Sequence, residues 1–146
     1  MKIRSKGKPD NVPRSLCKKS LQFYANELLG KRLSKNISLQ LVFEELPSPY
    51  FAICDWNDDG PVHRNFIVIV NKTLKKRMML ITLAHEMVHV KQYARKELQD
   101  DQYRNNVKWL GKVVCLNKTQ YRKRPWEIEA YAKDKALYEK FKQRNK

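Results

Sequence analysis

The chain has 146 residues, of which 42% are hydrophobic, enough for one globular domain with its own core and too few for a second full domain. Its 31 lysines and arginines outnumber 15 aspartates and glutamates and leave a net charge of +16, with an acidic stretch at residues 36–70 between two basic ends. This composition excludes a chain that is disordered throughout, and the charge favours acidic partners such as nucleic acid without indicating a fold.

The N-terminal part of the chain is predicted to be a tail followed by a helix. Residues 1–12 are basic, contain glycine and proline, and offer almost nothing to bury, which is typical of a mobile tail. From Pro13 to about Leu29 apolar residues recur at helical spacing, and Gly30 stands where a C-terminal cap belongs. We therefore expect a single domain over residues 13–146 that begins with a helix.

Three short segments in the middle of the chain are predicted to be strands. Residues 37–43 place apolar side chains at every second position, a period that fits a strand with one packed face. Residues 50–56 are a second strand, the polar segment 57–61 is a turn, and residues 66–70 are a short buried strand. Consecutive strands joined by short turns indicate an antiparallel or mixed sheet.

Two further helices are predicted in the C-terminal half. Residues 74–94 are rich in helix formers and apolar on most sides, which indicates a helix buried at the centre of the domain. Residues 98–124 fit either a hairpin or an irregular loop, and a final helix runs from Pro125, a favoured first residue, to about Gln143. The predicted fold is α+β: a small antiparallel or mixed sheet of three to four strands packs on the central helix, with an N-terminal and a C-terminal helix.

The cysteines and the hydropathy pattern bear on the compartment of the protein. Cys17, Cys54 and Cys115 are odd in number, far apart and without C-x-x-C spacing, so they predict neither a disulfide framework nor a cysteine zinc site. The N-terminus lacks the apolar stretch of a secretory signal, and no apolar run approaches the roughly 18 residues of a membrane span. We expect a soluble, cytoplasmic protein with reduced thiols and no membrane partner.

The central helix contains the strongest functional signal, the segment His85-Glu86-Met87-Val88-His89. Residues four apart lie on one helix face, so the imidazoles of His85 and His89 are able to reach one metal ion. Glu86 stands beside them, placed to activate a bound water molecule. Ionisable side chains are costly to bury without partners, and a zinc ion would satisfy all three at once. The pattern therefore predicts a zinc site on a buried helix.

A catalytic zinc ion normally has three protein ligands and one open position for water. No histidine follows His89 and the third histidine, His63, lies upstream, so the attractive donors are Glu127 and Glu129 at the start of the final helix. Glu129 shares its helix face with Lys133 and is expected to be its solvent-exposed partner. Glu127 lies beside the packing stripe of that helix and is favoured as the ligand.

Two segments of the chain together resemble a known family. Residues 82–93, which contain the H-E-x-x-H, and residues 124–131 resemble the gluzincin zinc metallopeptidases, in particular the small SprT-like proteins common in phage genomes. The matching motifs span about residues 66–131. The resemblance implies a zinc metalloendopeptidase with one Zn²⁺ and a protein or peptide substrate, active in the cytoplasm, including that of a phage-infected host.

The resemblance also implies a full ligand set. The ligands would be His85, His89 and the glutamate of an E-x-x-A segment, which falls on Glu127. The family often places an aspartate four residues after this glutamate, where it supports a zinc-bound histidine. This chain has Tyr131 at that position, so Tyr131 or Asp134 is expected to take over the supporting role.

The predicted reaction is the hydrolysis of a peptide bond. By the resemblance, residues 66–70 would form the edge strand of the cleft, along which a peptide lies as an added strand. Zinc would lower the pKa of its water toward about 7 and polarise the scissile carbonyl, while Glu86 carries the water's proton to the leaving amine. His63, Tyr121 and Tyr131 are the candidates for stabilising the oxyanion.

The charge supports an alternative of another class, a nucleic-acid-binding protein with a structural or vestigial zinc site. Its evidence is the net charge, the basic N-terminus and the run Arg122, Lys123 and Arg124, with Tyr121 nearby as a stacking group. The two hypotheses can coexist, because SprT-like enzymes include proteases that act on DNA-bound proteins, although those use three histidines. A third hypothesis is a virion or assembly protein that keeps the motif without turnover, against which the retained Glu86 argues.

Overall fold

The computed structural model describes residues 1–58, 62–100 and 105–145. Within these residues the helices are α1 (Arg14–Ser34), α2 (Lys76–Ala94) and α3 (Pro125–Arg144). The strands are β1 (Lys2–Lys6), β2 (Ser38–Glu44), β3 (Ala52–Trp56), β4 (Asn65–Asn71), β5 (Leu98–Asp100), β6 (Asn106–Trp109) and β7 (Lys112–Cys115). The predicted α+β class, with a helix near each end, is confirmed. Part of the predicted turn at 57–61, residues 59–61, lies outside the described residues.

The larger sheet is mixed and has four strands in the order β1-β2-β4-β3. Strands β1, β2 and β4 are parallel, and β3 pairs antiparallel with β4. The prediction that residues 66–70 form the edge strand was wrong, because β4 lies between β2 and β3 and β3 forms the edge. A strand that is apolar at nearly every position suits the inside of a sheet, whereas β3 exposes Ile53 and Asp55 and suits an edge.

The predicted mobile tail at residues 1–12 contains strand β1 and needs correction. Strand β1 pairs in parallel with β2 and places Ile3 opposite Leu39. Its exposed basic residues alternate with the half-buried Ile3 and Ser5, a period of two that the surrounding charges conceal in the sequence. Val12 is also buried, at 5% exposure, so apolar contacts hold both ends of this segment.

The main core joins the helices to alternating residues of the inner strands. It includes Leu39, Leu41 and Phe43 of β2, Phe66, Val68 and Val70 of β4, and Leu21, Leu83 and Met87 of the helices. Helix α1 bends at Gly30, whose φ of 76° interrupts the helical geometry before one further turn ends at Ser34. The predicted cap position is therefore a kink.

Helix α2 is the central helix that the sequence predicts. Fifteen of its 19 residues are buried, and it packs against α1, α3 and the sheet. The buried set includes five residues with polar or charged side chains in the second half of the helix, namely His85, Glu86, His89, Lys91 and Gln92. No helix in the described part of the chain is long and apolar enough to cross a membrane.

The segment between α2 and α3 contains a small antiparallel sheet in the order β5-β6-β7. Of the two forms predicted for residues 98–124, the structure has the hairpin, while residues 101–104 lie outside the described part. Leu110 and Gly111 turn the chain between β6 and β7, both with positive φ, as a tight hairpin turn requires. Leu98 and Val107 pack on Trp126, so the small sheet is anchored beside the first turn of α3.

Candidate metal centre

Helix α2 brings the two histidines of the H-E-x-x-H segment together. His85 and His89 lie one helical turn apart, and their ring centroids are separated by 4.9 Å. Each residue is only 8% exposed. The helix spacing thus places two imidazoles side by side in a buried position.

Glu127, in the first turn of α3, completes the group. Its Oε1 lies 3.1 Å from Nε2 of His85 and 3.3 Å from Nε2 of His89. The ligand atoms of the three residues all lie within 4.8 Å of one another. Ligands held 2.0–2.1 Å from one ion at tetrahedral angles are separated by about 3.3 Å. The spacing and chemistry of this buried group therefore fit a metal ion, and the sequence-based choice of Glu127 agrees with its position.

The charges in the group compensate one another. Burial opposes the charged form of His85, but hydrogen bonds to Asp134 and Glu127 raise its pKa to about 9. The pKa of His89 is likewise raised against the effect of burial, through its hydrogen bond to Glu127. Burial also opposes ionisation of Glu127, yet hydrogen bonds from the two imidazoles lower its pKa to about 2. In the metal-free protein, protons on the imidazoles therefore balance the carboxylate, which is the role that a metal cation takes when it binds.

Glu86 lies beside the three-residue group without belonging to it. It is 6% exposed, and burial raises the pKa of its carboxyl despite the nearby His89 and His85. Strand β3 runs past the same point, since burial and next the charge of Glu86 raise the pKa of Cys54 on that strand. The carboxylate thus lies near both the histidines and Cys54 of the edge strand.

Asp134, one of the two residues expected to support a histidine of the group, contacts His85. Its Oδ2 lies 3.3 Å from Nδ1 of His85, and the residue is 4% exposed. Asp134 follows Glu127 by seven residues, two helical turns, so both point from the same face of α3 toward α2. Tyr131, the other candidate, instead packs its ring 4.5 Å from the ring of His85 and is 46% exposed.

Glu129 does more than pair with Lys133. The predicted contact exists at 3.2 Å, but Glu129 also accepts hydrogen bonds from Lys91 at 2.9 and 3.0 Å and from Gln92 at 2.9 Å. The interpretation of Glu129 as a purely solvent-facing residue was therefore wrong. The position of Glu129 on its own helix did not predict these contacts, because Lys91 and Gln92 belong to α2 and the sequence pattern of α3 carries no information about them.

Gln92 is the residue near the site that the sequence analysis overlooked. Its Oε1 lies 2.8 Å from Nδ1 of His89, and it is fully buried. A signal was available, because a position three residues after a ligand histidine shares its helix face. A buried polar side chain on that face of a mostly apolar helix is expected to have a hydrogen-bonding partner.

The three candidates for stabilising an oxyanion lie in different surroundings. Tyr121 is half exposed, and burial and then the charge of Glu127 raise the pKa of its hydroxyl. Tyr131 covers His85 as described above. His63 does not join the three-residue group; its Nδ1 lies 3.3 Å from Oδ1 of Asp58, and its ring stacks on Trp56 at 4.6 Å. Tyr121 is therefore the candidate whose hydroxyl is influenced by the carboxylate of the group.

The basic run before α3 is partly engaged in the fold. Arg124 donates hydrogen bonds to the carbonyls of Thr119 and Leu116, and its guanidinium lies 5.8 Å from the ring of Tyr121. The guanidinium of Arg122 lies 5.6 Å from the ring of Tyr131. These two arginines thus contact the rings of Tyr121 and Tyr131, while Lys123 makes no such contact among the described residues.

The arrangement provides a buried place for one metal ion, with a carboxylate and a tyrosine hydroxyl beside it. Two imidazoles and a carboxylate from two separate helices can hold the ion, and α2 and α3 are fixed against each other by further polar contacts. Comparisons with protein-family models, with curated proteins and with solved structures find no match to this chain.

Proposed function

We propose that the chain is a zinc metallopeptidase of the gluzincin type, similar to the SprT-like proteins, that hydrolyses peptide bonds in the cytoplasm. The observation that carries this proposal is the convergence of His85, His89 and Glu127 on one buried point, with Glu86 next to it. Glu127 comes from another helix and lies within 3.3 Å of both rings, which is about the separation of ligands that share one ion. The free state of all three cysteines is consistent with a reducing compartment.

The donor set supports zinc as the metal. Two imidazole nitrogens and one carboxylate oxygen are the ligands of a known class of catalytic zinc site, whereas magnesium and calcium prefer oxygen ligands alone. A structural zinc ion is usually closed by four protein ligands. The group here supplies three among the described residues, and three ligands leave room for a water molecule.

The residues around the group have distinct roles in this proposal. Zinc, when bound, supplies Lewis acidity that lowers the pKa of a water molecule toward about 7 and polarises a carbonyl. Glu86 accepts the proton of the attacking water and passes it to the nitrogen of the leaving amine. The hydroxyl of Tyr121 donates a hydrogen bond to the oxygen on which negative charge develops. Asp134 holds the ring of His85 in place through its Nδ1.

The edge strand supports the choice of a peptide as substrate. In the described part of the chain β3 pairs only with β4, so its outer backbone edge is available for an added strand. Strand β3 also passes close to Glu86, as the effect of that carboxylate on Cys54 indicates. An extended peptide along β3 would bring a backbone carbonyl toward the metal ligands.

Metal analysis tests the ligand set. We expect wild-type protein to retain about one zinc ion per chain after dialysis, and Glu127→Ala to lose it because one of three ligands is missing. The matched control is Glu139→Ala, which removes an exposed glutamate from the same helix and should keep the zinc. Equal zinc content in the two variants would contradict the ligand assignment.

Peptide cleavage tests the reaction. Glu86→Gln should retain zinc while its kcat for cleavage of a quenched-fluorescent peptide library falls by about 10²–10⁴-fold, the usual contribution of a general base. Zinc content and far-UV circular dichroism of the variant are measured alongside. Unchanged cleavage in Glu86→Gln, or no cleavage by zinc-loaded wild type across the library, would contradict the peptidase proposal.

A second candidate function is nucleic-acid binding, and strand β1 is the observation that favours it. Its residues Lys2, Arg4 and Lys6 are all exposed and alternate along the strand, so they form one basic row at a sheet edge. Binding to duplex DNA would then weaken steeply with added salt, and replacing the three residues by glutamine would reduce that salt dependence. No binding at low salt would exclude this function.

A further inference from the structure

Gln92 contacts His89 on the side of the imidazole ring opposite to Glu127. It is fully buried, follows His89 by three residues on α2, and places Oε1 2.8 Å from Nδ1 of that histidine. The opposite ring atom of His89, Nε2, is the one that faces Glu127 at 3.3 Å. The amide and the metal position thus lie on opposite sides of one imidazole.

The partners of the Gln92 amide determine which way it points. Its Nε2 lies 2.9 Å from the backbone carbonyl of Trp126 and 2.9 Å from Oε1 of Glu129, and both of these atoms only accept hydrogen bonds. The nitrogen must therefore face them, and the oxygen is left for His89. An amide oxygen cannot donate, so Nδ1 of His89 carries a proton, and it is Nε2 that gives up its proton and offers a lone pair when the neutral ring binds a metal.

We propose that Gln92 is a positioning residue that fixes the tautomer and ring orientation of His89 for metal binding through Nε2. This inference rests on the metal binding put forward under the proposed function. It adds that the amide is held by α3, so the helix that supplies the ligand Glu127 also orients a ligand of α2. The two helices therefore assemble the site together.

A chain of charged contacts keeps the amide in place. Glu129 accepts the Gln92 hydrogen bond while Lys91 and Lys133 bind its carboxylate. Lys91 is 7% exposed and also pairs with Glu97, at 2.8 Å, just before β5. Because the contacts of Gln92 and Lys91 join α2 to α3 and to the segment before β5, the amide has little freedom to rotate away from His89.

The two histidines have partners of different charge. Nδ1 of His85 contacts the carboxylate of Asp134, whereas Nδ1 of His89 contacts a neutral amide. The centre already contains the carboxyl groups of Glu86, Glu127 and Asp134. An amide at position 92 orients His89 without adding a fourth carboxyl group to the centre. An amide also donates a hydrogen bond to Glu129, which a carboxylate at the same position could not do.

The tautomer of His89 in the zinc-loaded wild type is a direct test. Long-range ¹H–¹⁵N correlation spectra should assign His89 as protonated at Nδ1 and metal-bound at Nε2, with a slowly exchanging Nδ1 proton. Zinc bound through Nδ1 of His89, or a rapidly exchanging Nδ1 proton, would overturn the proposal. This measurement needs no variant and so does not depend on the folding of one.

Zinc affinity provides the second test. Gln92→Met keeps the volume but removes the amide, and competition with a chromophoric chelator should show about 10–100-fold weaker zinc binding, together with loss of the protected Nδ1 proton. The matched control is Gln22→Met, which removes an amide that donates to Asn26 and Ser34 far from the site. Zinc affinity in Gln92→Met within threefold of that of Gln22→Met would overturn the role of Gln92.

These readouts separate the inference from the peptidase reaction. Zinc-loaded protein that cleaves no peptide, yet shows the predicted tautomer and affinity loss, supports the role of Gln92 and contradicts only the reaction. If wild-type protein binds no zinc, the proposed function fails. The tautomer of neutral His89 in the metal-free protein then still decides whether Gln92 orients the ring.

Discussion

The two sides of helix α2 are buried by different means. Toward α1 and the sheet it presents Met79, Leu83 and Met87, each fully buried in apolar contacts. Toward α3 it presents His89 and Gln92, among other polar residues, whose hydrogen-bonding atoms meet particular partners. Apolar contact depends on area and shape, whereas a buried hydrogen bond depends on the position of a single atom. The first side therefore fixes where the helix lies, and the second fixes which atoms of α2 and α3 meet.

Truncation on the apolar side should give the largest loss of stability. Leu83→Ala removes a fully buried side chain, so the free energy of unfolding should fall by about 2–5 kcal/mol, measured by urea denaturation. The folded fraction should still bind zinc with the wild-type stoichiometry, because no hydrogen bond of the site is touched. Met78→Ala, at an exposed position of the same helix, should change stability by less than about 0.5 kcal/mol. Loss of zinc from folded Leu83→Ala would break the proposed separation of the two sides.

Removal of the buried lysine tests the polar side. Lys91→Met leaves Glu97 and Glu129 without their shared cation and should lower the free energy of unfolding by about 3 kcal/mol, the low end for a broken buried pair because both carboxylates keep some solvent contact. Lys133→Met removes the exposed partner of Glu129 and should cost less than about 1 kcal/mol. Equal losses in the two variants, measured by the same denaturation, would show that burial does not distinguish these lysines.

Zinc affinity should depend on pH because protons compete for the same imidazoles. The pKa of His85 is raised to about 9 in the metal-free protein, through its hydrogen bonds to Asp134 and Glu127 against the effect of burial. Below that pH zinc must displace a proton, so affinity should fall as pH falls, by about tenfold per pH unit for each proton released. Isothermal titration in two buffers of different ionisation enthalpy would count the protons. Equal affinity at pH 6.5 and 8.5 would contradict the competition.

The smallest effect is expected far from both sides of α2. Lys140 and Glu27 form an exposed ion pair at 2.7 Å between α3 and α1. Lys140→Met should change the free energy of unfolding by less than about 1 kcal/mol and leave zinc affinity unchanged, because solvent screens such pairs. A larger loss would mean that this contact helps to set the position of α3 over the metal centre.

Local periodicity was enough to predict much of the site. The four-residue spacing of His85 and His89 placed both on one face of a helix, and the phase of the last helix favoured Glu127 over Glu129 as the ligand. The resemblance named Tyr131 or Asp134 as the support of a metal-bound histidine, and Oδ2 of Asp134 lies 3.3 Å from Nδ1 of His85. The shared helix faces of these residues could be predicted from the sequence because helix geometry alone determines which side chains of one helix lie together.

Helix spacing and hydrophobic period did not predict the interactions between segments that are distant in the sequence. The alternation in residues 2–6 was hidden by charge, so strand β1 was missed, and β4 was expected at the edge of the sheet, whereas it lies inside. Any two strands offer the same backbone hydrogen bonds, so sequence pattern does not specify which strands pair or which one is at the edge. The same holds for Glu129, whose partners come from a helix 37 residues earlier in the chain.

The sequence by itself determined the helices, the α+β class and the set of residues able to hold a metal, because hydrophobic period and helix spacing are properties of neighbouring residues. The tertiary structure decided that Glu127 meets both imidazoles, that β3 is an edge strand of the sheet in the described part of the chain, and that Gln92 contacts Nδ1 of His89. Those outcomes depend on the packing of α3 against α2, which sets atomic distances between segments that no local pattern connects.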